Sequence, residues 1–229
     1  VIATIKQYNS NARLNRLFNM NDDIKDTRLK LLEIAGEVFA EEGFRLATVR
    51  EICKRANTNI AAINYHFGDK EKLYEEVFRY IHAFECSSPE PEKELIDINK
   101  DPKGALNQFI DEMLCRMLNP GKFSWKGTLM AREMVEPSPA LDVIIELWIN
   151  PCWNRLKEIT SSIINKPITS HENHIAASSV MAQCFFHKHA TAVLTKVNSE
   201  FVYNPEQIDL LSKYLSAFAF GGLEAVKNL

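Results

Sequence analysis

Apolar residues recur at spacings of three and four along most of this chain, and few turn signals separate the runs. Leu31, Leu32, Ala35, Val38 and Phe39 form one such stripe, which predicts an amphipathic helix from about 26 to 42. Asp26 or Thr27 can cap it. Gly43 stands where a left-handed helix stop belongs, and Phe44 then returns to the core. Thr48 opens a short helix to about Arg55, with Glu51 three residues on completing a capping box. Asn57 and Thr58 read as a turn, because Asn tolerates a positive φ. Asn59 can cap a third helix through about His66. Gly68-Asp69 breaks the chain again, and Leu73, Val77, Tyr80 and Ile81 predict a fourth helix over about 70–84.

Cys86–Glu94 (C-S-S-P-E-P-E-K-E) is polar and proline-bearing, the best candidate linker. Longer helical patterns follow at about 102–119, 123–136, 138–165, 171–197 and 205–227. Pro151 lies inside the third, so a kink or break is expected near Asn150. The expected fold is all-α. Residues 21–84 would form a three-helix domain containing a helix-turn-helix, 85–94 a linker, and 95–229 a larger helical domain. Residues 1–20 carry Lys6, Arg13 and Arg16 and no acid. They read either as an appended leader, with Met20 the true start, or as a native basic arm.

Composition narrows the class. Only 8 glycines and 9 prolines in 229 residues argue against a sandwich or barrel. A hydrophobic fraction of 46% excludes a chain that is mainly disordered. No apolar run reaches the roughly 18 residues of a membrane span, so no membrane partner is expected. Five dispersed cysteines, an odd number and never C-x-x-C, read as thiols in a reducing cytoplasm.

The net charge of -3 gives no general support to nucleic-acid binding, so that reading rests on local charge. Residues 43–70 hold five bases (Arg45, Arg50, Lys54, Arg55, Lys70) against Glu51 and Asp69. That is the polarity a phosphate-facing end requires. The same segment holds two short capped helices joined by a tight turn, a helix-turn-helix whose second helix can enter a major groove. Ala61 and Ala62 permit close approach. Ile63 and Phe67, four apart, should point inward. Asn64 and Tyr65 are then left outside, where Asn can read adenine and Tyr can donate to phosphate.

Residues 27–75 resemble the DNA-binding domain of TetR/AcrR-type transcription regulators. The resemblance rests on L-L-E-I-A-G-E-V-F-A-E-E-G-F, T-V-R-E-I-C-K-R-A and I-A-A-I-N-Y-H-F-G-D-K-E-K-L. It implies that Thr48 caps the second helix and touches a phosphate. Asn59, Ile60, Ala61 and Asn64 would face bases or sugar-phosphate, and Tyr65, His66 and Lys70 would hold the DNA backbone. Asn57 stands where many members have Gly. Ile60 stands where many have Lys, which removes one phosphate contact.

The tail loosely resembles the C-terminal domain of CecR-type members, through A-R-E-M at 131–134, P-S-P-A at 137–140, Q-C-F-F-H at 183–187 and the final F-A-F-G-G-L. The resemblance implies a homodimer on a double-stranded operator, controlled by a small-molecule effector, with repression the usual mode. The last two long helices would form the dimer interface, with Ala177, Val180, Cys184, Leu211, Leu215 and Phe218 as candidates. Packing of those faces inside one monomer is the alternative. Candidate effector walls are Phe109, Met113, Met117, Trp125, Met130, Met134, Trp148, Trp153 and Phe185, with Arg132 and Glu133 as polar anchors; each aromatic taken singly also fits plain core. No cofactor or metal is expected. His171, His174, His187 and His189 raise a metal-sensing alternative. An enzyme in the tail is a weaker one, since no G-x-S-x-G, phosphate loop or H-E-x-x-H occurs.

Overall fold

The computed structural model describes residues 22–87, 94–119, 121–200, 203–227 and 229. The basic leader and most of the expected linker lie outside them. The regular elements among the described residues are all helical, with no strand among them. No described helix is long and apolar enough to cross a membrane. Two compact units form. One joins the described part of Val1–Glu90 to Pro120–Pro151, and the other joins that of Pro91–Asn119 to Cys152–Leu229. The division differs from the expected one, because 120–151 falls with the N-terminal helices.

The first unit opens with α1, Asp22–Leu46. Leu31, Leu32, Ala35, Val38 and Phe39 are all fully buried, as the stripe requires. The break at Gly43 occurs, but with φ 79° and ψ 162°. It is therefore no left-handed helical stop; it lies in a backbone region open essentially to glycine alone. Helices α2 (Val49–Ala56), α3 (Ile60–His66) and α4 (Lys70–Ser87) follow. Asn57 takes φ 51° and ψ 51°, and the Thr58 amide reaches back to the Cys53 carbonyl at 2.9 Å, closing α2 with a Schellman turn.

Helix α6 (Lys126–Val135) packs on α1, and α7 (Leu141–Ile144) packs on α4. Two aromatics fix this arrangement. Phe123 meets Tyr80 at 5.4 Å and Phe84 at 5.2 Å. The Trp125 ring lies across α1 at Gly36, where an added Cβ would come within 2.1 Å of a ring carbon. Gly36→Ala is therefore expected to expel Trp125 and to cost about 2 kcal/mol. A lower urea midpoint at unchanged slope would report it, and an unchanged midpoint would show that the ring does not hold this place.

The expected interruption near Asn150 is absorbed rather than made. Ile145–Ile149 form a π-turn leading into α8, Asn150–Ile164. Pro151 lacks an amide and its ring would crowd the carbonyl four residues back; the wider π-turn removes that conflict.

The second unit contains α5 (Pro102–Leu118), the rest of α8, α9 (His171–His189), α10 (Thr191–Val197) and α11 (Pro205–Val226). The expected 171–197 helix is broken at Ala190, whose φ and ψ are -91° and 5°. Helix α5 packs most extensively on α11 and also meets α9. Ala177, Val180 and Cys184 are sealed inside this core, and burial pushes the Cys184 thiol up to about 12. They cannot meet a second chain, which corrects the dimer face expected of them. Leu211 and Leu215 are half-buried against the same core.

Candidate nucleic-acid interface

The orientation of α3 follows from which of its residues are apolar. Ile63 is fully buried and Phe67 nearly so, so this edge of the helix is pinned to the core of the first unit. Asn59, Ile60, Ala61, Asn64 and Tyr65 are exposed, Tyr65 to 73%. Ala62 and His66 are half-buried between the two faces. The Asn59 side chain accepts from the Ala62 amide at 3.0 Å, and the Thr48 hydroxyl accepts from the Glu51 amide at 3.2 Å. Both short helices thus begin on a side-chain cap. The capping box is not reciprocal: the Glu51 carboxylate accepts from Arg55 Nε at 2.9 Å instead.

The five bases divide into two groups. Arg55 Nη1 meets Glu41 at 2.7 Å while its Nε holds Glu51, so its charge is spent within the unit. Lys70 donates to the carbonyls of Phe44 (2.8 Å), Ala47 (3.1 Å) and Arg45 (3.5 Å). An ammonium has three protons, and these three acceptors take them. Lys70 thus clamps the chain entering α2. Arg45, Arg50 and Lys54 are exposed, Lys54 with its ammonium 4.0 Å from the Glu51 carboxylate. Burial, with the Arg28 charge adding to it, pushes the His66 imidazole below its ordinary value.

The expected effector walls divide between the two units. Phe109 and Met113 are buried in the second unit, with Met117, Trp153 and Phe185 packed at the edge of that core. Trp125, Met130 and Trp148 belong to the core of the first unit. Trp148 meets Phe78 at 6.3 Å and donates to Glu85 at 3.2 Å. Met134 is 42% exposed and lines no interior. Arg132 donates to the backbone carbonyls of Ala40 (3.0 Å) and Glu41 (2.9 Å), and with Glu133 it lines a cavity bounded by Phe44, Tyr74 and Pro137. Glu133 is buried and accepts from Tyr74 Oη at 2.8 Å. Burial, reinforced by that bond, holds the Tyr74 phenol well above its ordinary range.

The histidines are likewise occupied locally. His174 packs edge-on to Trp153 at 5.3 Å, and His187 Nδ1 lies 3.1 Å from Tyr203 Oη. Among the described residues no three His, Cys, Asp or Glu side chains converge as metal ligands would.

Comparison with known proteins agrees with this geometry. Residues 31–77 match the family model described as bacterial regulatory proteins, tetR family. Residues 102–224 match the C-terminal domain of the HTH-type transcriptional dual regulator CecR. The chain is 28% identical to CecR of Shigella flexneri over 145 residues, which are 60% of this chain and 65% of that protein. It is 36% identical to the HTH-type transcriptional repressor NicS of Pseudomonas putida over 84 residues, 37% of this chain and 38% of NicS. These alignments thus span less than two thirds of either relative. Among solved structures, the haemolysin II regulator HlyIIR superposes with a TM-score of 0.55 at 23% identity, covering 85% of this chain and 97% of that one. At that identity the likeness speaks for the fold alone. With its helix-turn-helix matching one model and more than half its length matching the other, this chain belongs to the TetR family of bacterial regulatory proteins, with a C-terminal domain of the CecR type.

Proposed function

We propose that this protein is a homodimeric transcription regulator that reads duplex DNA with α3 and lets go of it when a small, largely apolar effector binds. The observation that carries the reading is the two-sidedness of α3. Ile63 and Phe67 fix one edge in the core, while Asn59, Ile60, Ala61, Asn64 and Tyr65 stand out on the other with nothing of the unit over them. Arg45, Arg50 and Lys54 supply charge for the flanking phosphates. NicS is named a repressor and CecR a dual regulator; repression is the mode proposed for this chain.

The dimer is supported by a second two-sided pair of helices. On α11, Ile208, Ser212, Ser216, Ala219 and Leu223 face inward, whereas Leu210, Tyr214 and Phe218 are 54%, 71% and 74% exposed. On α9, Ile175 and Phe186 are more than half exposed. An exposed apolar stripe on two helices is what a monomer avoids and an interface uses. Gly221 and Gly222 lie on the exposed side of α11, and nothing stands within 4 Å of where a Cβ would be. A helical glycine costs about 1 kcal/mol relative to alanine. No contact among the described residues needs these two, and they suit the close approach of a second copy. The effector site is assigned to the walls that remain in the second unit: Phe109, Met113, Met117, Trp153 and Phe185.

Selection from a random duplex library with the full chain tests the reading. One sequence class should be enriched and bound at least a thousandfold more tightly than random duplex at the same salt. Recovery of unrelated sequences bound no better than random would end the proposal.

A further inference from the structure

The A-R-E-M and P-S-P-A segments, singled out in the sequence, touch no part of the exposed face of α3. Their side chains are nevertheless committed. Arg132 gives its Nε to the Ala40 carbonyl and its Nη2 to that of Glu41. Both carbonyls belong to the last turn of α1 ahead of the Gly43 bend, the end of a helix where acceptors run short of amides. On the far side of the bend, Lys70 holds the carbonyls of Phe44, Arg45 and Ala47. The turn is thus gripped by a cation on each flank, one from α6 and one from α4.

Glu133, the next residue of α6, grips the same turn through a ring. It accepts from Tyr74 Oη at 2.8 Å, and from the amide and hydroxyl of Ser138 at 3.0 Å each. The Tyr74 ring stacks on Phe44, the first residue past Gly43, with centroids 4.9 Å apart. Gly43 itself leaves room for this: a Cβ there would lie 3.1 Å from Arg132 Nη1. Four residues after Phe44 comes Thr48, the cap of α2, and α3 follows from α2 through the tight Asn57 turn. Whatever sets the bend therefore sets the direction in which α3 is presented.

We propose that Arg132 and Glu133 are positioning residues for DNA recognition, fixing the Gly43 bend and through it the aim of α3. The proposal rests on the reading of α3 as the DNA-contacting helix. It assigns the paired cation and carboxylate of α6 to the reading head and not to a ligand.

The test compares full-length wild type, Arg132→Met and Arg132→Lys on two probes, the duplex enriched by wild type and a random duplex of equal length. Arg132→Met should lose about thirtyfold or more on the enriched duplex and less than threefold on the random one. Amides 41–58 should exchange faster, with those of α9 and α11 unchanged. Arg132→Lys, which keeps a cationic donor, should retain the ratio between the probes to within about fivefold. A purely structural arginine would lower the folded fraction and weaken both probes alike, leaving that ratio fixed. An unchanged ratio in Arg132→Met therefore overturns the proposal. If Arg132→Met does not fold, Arg132→Gln carries the comparison, and failure of both to fold also overturns it. If wild type enriches no duplex, the reading of α3 fails instead.

Discussion

The double substitution Asn64→Ala, Tyr65→Ala is expected to weaken binding to the enriched duplex by at least a hundredfold and to leave random duplex within threefold. Both side chains are exposed on α3, so little folding energy depends on them; Tyr65 meets only the edge of its neighbour His66, at 5.0 Å. An asparagine paired with an adenine edge discriminates by about 1–3 kcal/mol, and a dimer loses the contact twice. Even about 1.5 kcal/mol at each of the two sites gives about 3 kcal/mol, or somewhat more than a hundredfold at 1.4 kcal/mol per tenfold. On the proposed reading random duplex is held through phosphates by Arg45, Arg50 and Lys54, which the change leaves alone. Titration by fluorescence anisotropy at one fixed salt concentration measures both numbers. Equal losses on the two probes would mean that these residues add affinity without reading sequence.

Phe218→Asp is expected to convert the protein to a folded monomer. Phe218 is 74% exposed on the outer side of α11, so its own core does not need it. In the proposed dimer the residue is buried twice across the twofold axis, at about 1.5–3 kcal/mol for each aromatic ring. An aspartate in its place would bring an unpaired charge into the same apolar seam. The dimer dissociation constant should rise at least a thousandfold, with the helical circular dichroism signal unchanged. Operator affinity should fall with it, because two half-sites are no longer held together. Sedimentation equilibrium of wild type and variant across a concentration series decides the matter. A variant that sediments as wild type does would remove α11 from the interface.

Much of the first unit was legible in its residues because helix caps and apolar spacing act locally. Asn57 and Asn59 do what short polar side chains do at a turn and a cap, and Ile63 and Phe67 point where a spacing of four puts them. What could not be read locally were the long-range partners. Lys70 counts as a free charge until the carbonyls of Phe44 and Ala47, more than twenty residues earlier, come within reach. Arg132 is separated by about ninety residues from the carbonyls it holds. Trp125 looked like a pocket wall because nothing in its neighbourhood reveals that Gly36 clears a place for it on α1. The small residues of α9 are ambiguous for a different reason. The small residues Ala177, Val180 and Cys184 form a stripe that suits an interface, but a stripe of the same period also suits the core, and the core has them. Ile175 and Leu210, the residues left outside, are distinguished only by the phase of the helix.

The most direct measurement is a dimethyl sulfate footprint of the full chain on its enriched duplex, since the reagent modifies guanine N7 in the major groove. Two protected clusters about one helical turn apart, both lost in the Asn64→Ala, Tyr65→Ala protein, are the predicted result. Tight, sequence-selective binding that leaves every guanine N7 reactive would contradict it.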